Sequence, residues 1–421
     1  MMKTWQCLQK IEKILDIRGD IMLNEQQEFV KQQAIKWWNS SEQIFQYTGG
    51  PGTGKTYLLH HILQSIGVDP ERIAPMAYTG QAAIVMRGNG LPNAKTIHST
   101  LYETMETYEK NPDGTYKMDP YFNKPITKLE FVPRDLEDVD LFILDEGSMI
   151  PVEMAKEINS RGKKIIVTGD LDQLPPVFGD SGYLVSGTIY KLTEIMRQQR
   201  NSPIVYLSQL ALQGKPIERG IYGNCKVVYE KELTDYEIIH SDIMICGKNA
   251  TRDMINNNYR HNIIKTNSTV PLEGEKLVCR KNNWNLGTPD GLNLANGLIG
   301  TVIKQPDVSS VSDKSYTIDF LPFMGDYPFY DLLCDYKYLN ASTEERKILK
   351  NAKYSIGEKM EYAYAITTHM SQGAQFNNGI YIQENLGKNL QRALNHTGIT
   401  RFKNSLIYVI PEPKYYYNIP Y

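Results

Sequence analysis

The sequence has no run approaching the roughly 20 consecutive apolar residues a membrane-spanning helix needs, so no membrane association is expected. Cysteine is scarce. Cys7, Cys225, Cys246, Cys279 and Cys334 are scattered, odd in number and never spaced C-x-x-C. That argues against a disulfide framework and a zinc site, and for reduced thiols in a cytosolic compartment. An excess of positive charge is also missing, since 46 Lys and Arg stand against 48 Asp and Glu, a formal net charge of −2. Any groove for a polyanion must then be locally basic on a nearly neutral body, with grip from short-range contacts and stacking rather than long-range steering. No low-complexity tract or internal repeat stands out. The start, MMKTWQCLQKIEKIL, is amphipathic and charged without an apolar core and cleavage site, so a secretory signal is not expected.

What is present describes an ordinary globular protein, with 41% hydrophobic and 22% charged residues. The length of 421 residues suits about two to four domains. The 28 tyrosines supply material for stacking.

The strongest local signal is FQYTGGPGTGKTYLL, Phe45 to Leu59. It holds G-x-x-x-x-G-K-[ST] as Gly49, Gly50, Pro51, Gly52, Thr53, Gly54, Lys55 and Thr56. An apolar stretch precedes it (Ile44, Phe45, Tyr47) and a helical pattern follows (Leu58, Leu59, Ile62, Leu63). In that strand–loop–helix context, glycines let the backbone curl so that its N–H groups face phosphate oxygens, and the helix adds its positive end. Lys55 would reach the β- and γ-phosphates of ATP, and Thr56 would offer a hydroxyl to Mg²⁺.

Two further strand ends fit the same site. VDLFILDEGSMI, Val139 to Ile150, reads as a buried parallel strand ending in two acids. Carboxylates there sit beside a phosphate loop in open α/β sheets. Asp145 would hold Mg²⁺ through water and Glu146 would polarise the attacking water. KIIVT, Lys164 to Thr168, leads into GDLDQLPPV, where the Gln173 amide could sense the γ-phosphate.

In this order the motifs resemble those of superfamily 1 helicases, in the wording of the RecD/Dda branch, from about Leu23 to Val409. The resemblance implies roles for further segments. LNEQQ resembles the Q-motif, with Gln27 reading adenine and Gln26 as the alternative register. APMAYTGQAA places Thr79 on the nucleic-acid backbone, and KTIHSTL offers Thr96 and His98. LTEIMRQ would send Arg197 to the γ-phosphate from the second motor lobe. ICGKNATRDMINNNYR reads as a strand and a polar helix, with Asn249 and Arg252 as possible contacts and Arg260 on the surface. AITTHMSQGAQF resembles the coupling motif, with Thr367 on strand phosphate and His369, Ser371 and Gln372 at the interface. Gly373 and Gln375 would lie by the nucleotide. Some relatives carry a Glu for the ribose hydroxyl where Gln375 stands, and the amide brings no charge. NHTGITRFKNSLIYVI presents Arg401 as the arginine finger, with His396 where an aromatic often stands.

The implied fold is α/β: two RecA-like parallel-sheet lobes, a β-hairpin inserted in the first and an SH3-like barrel in the second. The expected boundaries are 1–190 for the first lobe, 191–273 with 358–421 for the second, 102–134 for the hairpin and 274–357 for the barrel. The N-P-D-G turn within TYEKNPDGTYKM, Thr107 to Met118, marks the hairpin. Such an insertion is the duplex-splitting wedge in the family, which makes Tyr121 and Phe122 wedge candidates. Trp284 and the cluster Tyr327, Phe329, Tyr330, Tyr336 and Tyr338 could stack on bases, although barrel core suits most of them. Trp5 to Ile17 and the YYYNIPY tail read as packing elements.

The resemblance implies an ATP- and Mg²⁺-dependent DNA helicase moving 5′ to 3′ on single-stranded DNA and unwinding forked duplex. A monomer in the cytoplasm is expected, with single-strand-binding or replication proteins as further partners; residue usage fits a bacteriophage protein in its host. Two alternatives stay open: a translocase that remodels without unwinding, and an ATP-switched loader.

Overall fold

The computed structural model describes residues 22–118, 125–176, 179–196, 199–307, 311–312, 314–350 and 356–412. Trp5 to Ile17, the YYYNIPY tail, Arg197 and the wedge candidates Tyr121 and Phe122 lie outside them. No helix among the described residues is long and apolar enough to cross a membrane.

The first lobe is a six-stranded parallel sheet. Its strands are β1 (Ile44–Gly49), β2 (Ile73–Ala77), β3 (Lys95–Thr96), β6 (Leu141–Leu144), β7 (Lys164–Gly169) and β8 (Ile189–Leu192), with β4 and β5 left to the hairpin inserted after β3. Their spatial order is β3-β2-β6-β7-β1-β8. The central strand β6, LFIL, is apolar and buried at every residue because helices cover both faces of a parallel sheet. Around it lie α1 (Glu25–Trp38), α2 (Lys55–Ile66), α3 (Gly80–Gly88), α4 (Ile97–Leu101) and α5 (Val152–Ser160). The expected boundary at 190/191 needs correction. It falls inside β8, which pairs with β1 from Gln46↔Ile189 to Gly49↔Leu192, so the first sheet runs on to Leu192.

In the hairpin, β4 (Tyr102–Tyr108) pairs antiparallel with β5 (Thr127–Pro133), from Tyr102↔Pro133 to Tyr108↔Thr127. Asn111 to Gly114 turn the tip, where Gly114 N donates to Asn111 O at 2.9 Å.

The second sheet orders β19-β11-β20-β21-β10-β9. These are β9 (Gly220–Tyr222), β10 (Cys225–Tyr229), β11 (Ile243–Cys246), β19 (Ala365–Thr367), β20 (Phe376–Ile382) and β21 (Phe402–Ile410). Only β9 pairs antiparallel. Helices α6 (Pro203–Leu212), α7 (Asn249–Asn258) and α8 (Lys388–Ile399) accompany it.

Strands β12 to β18 form the insertion between β11 and β19, with β13 (Asn283–Gly287) and β14 (Asn293–Leu294) paired antiparallel as a separate ribbon. Five of them, β12 (Lys276–Cys279), β15 (Ile299–Lys304), β16 (Ser315–Pro322), β17 (Phe329–Asp335) and β18 (Met360–Tyr362), make an antiparallel sheet in the order β17-β16-β15-β12-β18. A bridge between Cys334 and Glu358 draws its two ends together. Ile84 of α3 joins the apolar cluster of this insertion, together with Leu292, Leu298 and Phe320. Gln81 of the same helix donates to Phe323 O at 3.1 Å. The insertion is thus seated against the first lobe as well as the second.

Candidate functional site

Strand β1 ends at Gly49 and α2 begins at Lys55, so the loop between them must reverse within five residues. Gly52 and Gly54 take φ of +77° and +78°, a region where a side chain is strained. A Cβ on Gly54 would also lie 2.6 Å from Gln27 Nε2. Thr53 Oγ1 donates to Gly50 O at 2.8 Å and fixes the curl. Lys55 folds over the loop, its Nζ 2.6 Å from Gly49 O and 3.3 Å from Gly50 O. Thr56 follows at the second residue of α2.

Gln27 is buried behind this loop. Asn24 caps α1, and Gln27 returns the bond by accepting from Asn24 N at 3.2 Å while its Nε2 donates to Thr53 O at 2.9 Å. Both ends of its amide are engaged with the protein. Gln26 instead ties α1 to the end of β8 and the residue after it, through Lys191 O and Thr193.

Strand β6 delivers the two acids. Asp145 Oδ1 accepts from Thr168 Oγ1 at 2.5 Å and from Glu146 N at 2.9 Å. These two bonds fix the Asp145 carboxylate at the end of the strand, and a carboxylate with a hydroxyl such as that of Thr56 is an oxygen-donor pair of the kind Mg²⁺ takes. Glu146 sits at φ 53°, ψ 42°, an uncommon place for a non-glycine residue and one often found at working sites. Burial pushes its carboxyl pKa up, and the charges of Arg401 and Lys55 partly oppose that.

Beyond β7 the turn at Asp170 to Leu174 faces the second lobe. Asp170 is almost fully buried. Burial alone would raise its pKa, but the hydrogen bond from His396 and the charge of Lys55 hold it below the ordinary value. Gln173 Nε2 lies 3.4 Å from Asp170 Oδ2, and Gln173 Oε1 accepts from Arg401 Nη2 at 2.8 Å. Arg401 is 3% exposed, donates Nε to Thr397 O at 3.0 Å, and sets Nη1 3.6 Å from Glu146 Oε1. Two more bonds close the lobes here: Leu174 N donates to Thr397 Oγ1 at 3.1 Å, and Gln372 Nε2 donates to Leu174 O at 2.8 Å. Gly373, at φ +74°, brings the second lobe close enough that a Cβ would stand 2.7 Å from Ala82 Cβ. Gln375 is half-buried beside it. Ser371 is buried, with its hydroxyl donating to Thr368 O.

The segment leading to Arg197 needs correction: it belongs to the first lobe, not the second. It leaves β8, and Met196 N donates to Gly52 O at 2.9 Å, directly on the phosphate loop.

The nucleic-acid candidates divide. Thr79 is half-buried at the N-cap of α3, accepting from Ala82 N, next to Gly373. Thr96 is 3% exposed and caps α4, with its hydroxyl on Ser99. His98 is half-buried and packs 5.3 Å from the Trp284 ring, with burial lowering its pKa. Asn249 is exposed at the start of α7, but the N–H groups just before it, on Gly247 and Lys248, are taken by the Glu384 carboxylate at 2.6 and 2.7 Å. Thr367 is 5% exposed and accepts from Met370 N. His369 is half-buried, its pKa lowered by burial.

Arg252 and Arg260 are also corrected to structural residues. Arg252 is buried against Asp253 and Glu361. Arg260 pairs with Glu275 at 2.7 Å, its guanidinium 4.1 Å from the Tyr362 ring centre. Among the insertion aromatics, Phe329 and Tyr338 are core, whereas Tyr327 and Tyr330 are exposed. Trp284 meets both His98 and, edge-on at 6.2 Å, Phe131 of the hairpin. Asp170, Thr397 and Glu384 were missed in the sequence. The position of Asp170 directly after β7 was a readable signal, while the other two depend on partners far along the chain.

A phosphate loop and two strand-end acids on one parallel sheet, met by an arginine from a second, define a two-lobed P-loop α/β protein with the fold of the Pif1 helicases. The Pif1 helicase from Bacteroides in complex with ADP-AlF3 and ssDNA superposes with a TM-score of 0.53 at 18% identity, over 93% of this chain and 95% of that one. Residues 31–179 match the AAA_19 family, described as an AAA domain. The chain is related in sequence to RecD: the RecBCD enzyme subunit RecD of Buchnera aphidicola subsp. Schizaphis graminum is 24% identical over 85% of this chain and 69% of that protein. The uncharacterized protein MJ1519 of Methanocaldococcus jannaschii is 26% identical over 87% of this chain, which spans 36% of its length.

Proposed function

We propose that this chain is an ATP-dependent DNA helicase that moves 5′ to 3′ along single-stranded DNA and opens forked duplex. The observation that carries the reading is Arg401, reaching from the second lobe to Gln173 and Glu146 of the first. A nucleotide seated on the phosphate loop would be shared between the lobes. Lys55 and the loop amides hold its phosphates, Glu146 takes the proton of the attacking water, and Arg401 meets the charge that develops on the γ-phosphoryl group. Thr56 and Asp145 would hold Mg²⁺, which would supply positive charge against the phosphates. Loss of the γ-phosphate removes the anion that Arg401 grips, so the cleft can relax. With Thr79 on one lobe and Thr367 on the other, alternate grips on strand phosphates would turn each cycle into a step. Arg197, outside the described residues, keeps its proposed role as a second guanidinium for the γ-phosphate. The hairpin would serve as wedge.

Support from relatives is of one kind. A protein from Deinococcus radiodurans matched over 40% of this chain is an ATP-dependent RecD2 DNA helicase, and a structural neighbour concerns DNA unwinding at forked dsDNA by two coordinating Pif1 helicases. Polarity rests on the RecD/Dda resemblance, and a monomer is proposed. The test is unwinding of forked duplexes carrying a 5′ or a 3′ tail. Opening that requires ATP and the 5′ tail supports the reading. Strand-stimulated ATPase without opening would make the chain a remodeller, and ATPase indifferent to single strands would make it a loader.

A further inference from the structure

We infer that His396 is a positioning residue for ATP turnover, acting through Asp170 to set which end of the Gln173 amide faces Arg401. The inference rests on the helicase reading of the same site. His396 is fully buried on α8, ahead of Arg401. Its Nδ1 lies 3.3 Å from Ser208 O of α6, and its Nε2 lies 3.3 Å from Asp170 Oδ2. The first contact anchors the ring in its own lobe, and the second crosses the cleft.

Asp170 Oδ2 faces two groups at once, the His396 ring and Gln173 Nε2. A side-chain amide can turn end for end, because its oxygen and its NH₂ group have the same shape. A carboxylate beside one end removes that freedom, since it can only accept. Gln173 must then give its NH₂ to Asp170 and keep its oxygen for Arg401, as the 2.8 Å bond records. Turned the other way, the NH₂ group would oppose a guanidinium that can only donate. Asp170 is 1% exposed, and a carboxylate so buried keeps its charge only with a partner. Asp172 N on Oδ1 at 3.0 Å and the charge of Lys55 support it from its own lobe, and His396 is the partner from the other lobe; an aromatic hydrocarbon ring in its place would fill the space without meeting the carboxylate. The cleft has other ties, Leu174 with Thr397 and with Gln372, so losing the His396 bond need not part the lobes.

The experiment is a double-mutant cycle of His396→Phe and Gln173→Ala in the full chain, with His396→Gln as the conservative variant. His396→Phe should lower strand-stimulated kcat between about tenfold and 10²-fold, the usual result of misplacing a reacting group. KM for ATP should stay within about twofold, since ground-state contacts are untouched. His396→Gln, which can still donate to Asp170, should recover most of the rate. In the Gln173→Ala background, His396→Phe should add nothing, because its target is gone. A second readout needs no turnover: His396→Phe should narrow the preference for ADP with aluminium fluoride over ADP alone. An unchanged kcat and preference would overturn the inference. So would a loss equally large without Gln173, or one that follows a fall in Tm. A wild-type chain with no turnover would instead count against the helicase reading, and the aluminium fluoride preference would still decide the role of His396.

Discussion

Gln173 and Arg401 meet across the cleft at 2.8 Å, amide oxygen to guanidinium, though they stand 228 positions apart in the chain. Each comes from the turn or helix end that its own lobe presents to the other. On the proposed helicase reading, the pair would lie beside the γ-phosphate of a nucleotide seated on the Lys55 loop.

Gln173→Ala should therefore lower ATP turnover more than ATP binding. Loss of one positioned group of this kind costs roughly 10² in rate. Steady-state kcat and KM with saturating single strands separate the two effects, and a change confined to KM would contradict the placement.

Gly373→Ala tests the closeness of the lobes. The residue holds φ +74°, and its new Cβ would press on Ala82 Cβ. The left-handed conformation alone costs a non-glycine residue roughly 1–2 kcal/mol. Both Tm and the stimulation of ATPase by single strands should fall. Wild-type values for both would mean that the lobes do not meet at this point.

Asp170 yields a pH dependence. Its folded pKa is depressed below the ordinary 3.8, so its contribution to stability is full above that value and is lost as pH drops through the folded pKa. The Tm deficit of Asp170→Ala should be largest near neutral pH and shrink in acid below about pH 4. A deficit that grows on acidification would reverse the sign and the assignment. Thermal melts across pH decide it.

Trp284→Ala should loosen the hairpin from the insertion. The indole meets His98 of the first lobe and Phe131 of the hairpin, and an aromatic pair is worth about 0.5–1.5 kcal/mol beyond its burial. If the hairpin is the wedge, unwinding should drop severalfold while strand-stimulated ATPase holds near wild type. Equal losses in both assays would place Trp284 elsewhere in the cycle.

Legibility in the sequence followed physical locality. The phosphate loop was readable because a reversal at Gly52 and Gly54 admits almost no other residue, and β6 because a strand buried on both faces must be apolar throughout. The hairpin tip was readable from one turn. Thr96, Arg252 and Arg260 were not, since a polar side chain reads as exposed until its partner is known. Those partners are a helix end for Thr96, Glu361 for Arg252 and Glu275 for Arg260. The lobe boundary was misplaced because β8, IYKL, is a short edge strand with little burial pattern. His396 was visible as a departure from the family pattern, but its bond to Asp170 exists only once the two lobes face each other.

The most direct measurement is ATP turnover by Arg401→Ala beside its affinity for ATP. A guanidinium that completes the charge cage from the opposite lobe is worth a factor of about 10³–10⁵ in rate. Turnover should collapse by that order while ATP binding persists. A variant that hydrolyses ATP at the wild-type rate would show that the two lobes do not share the nucleotide.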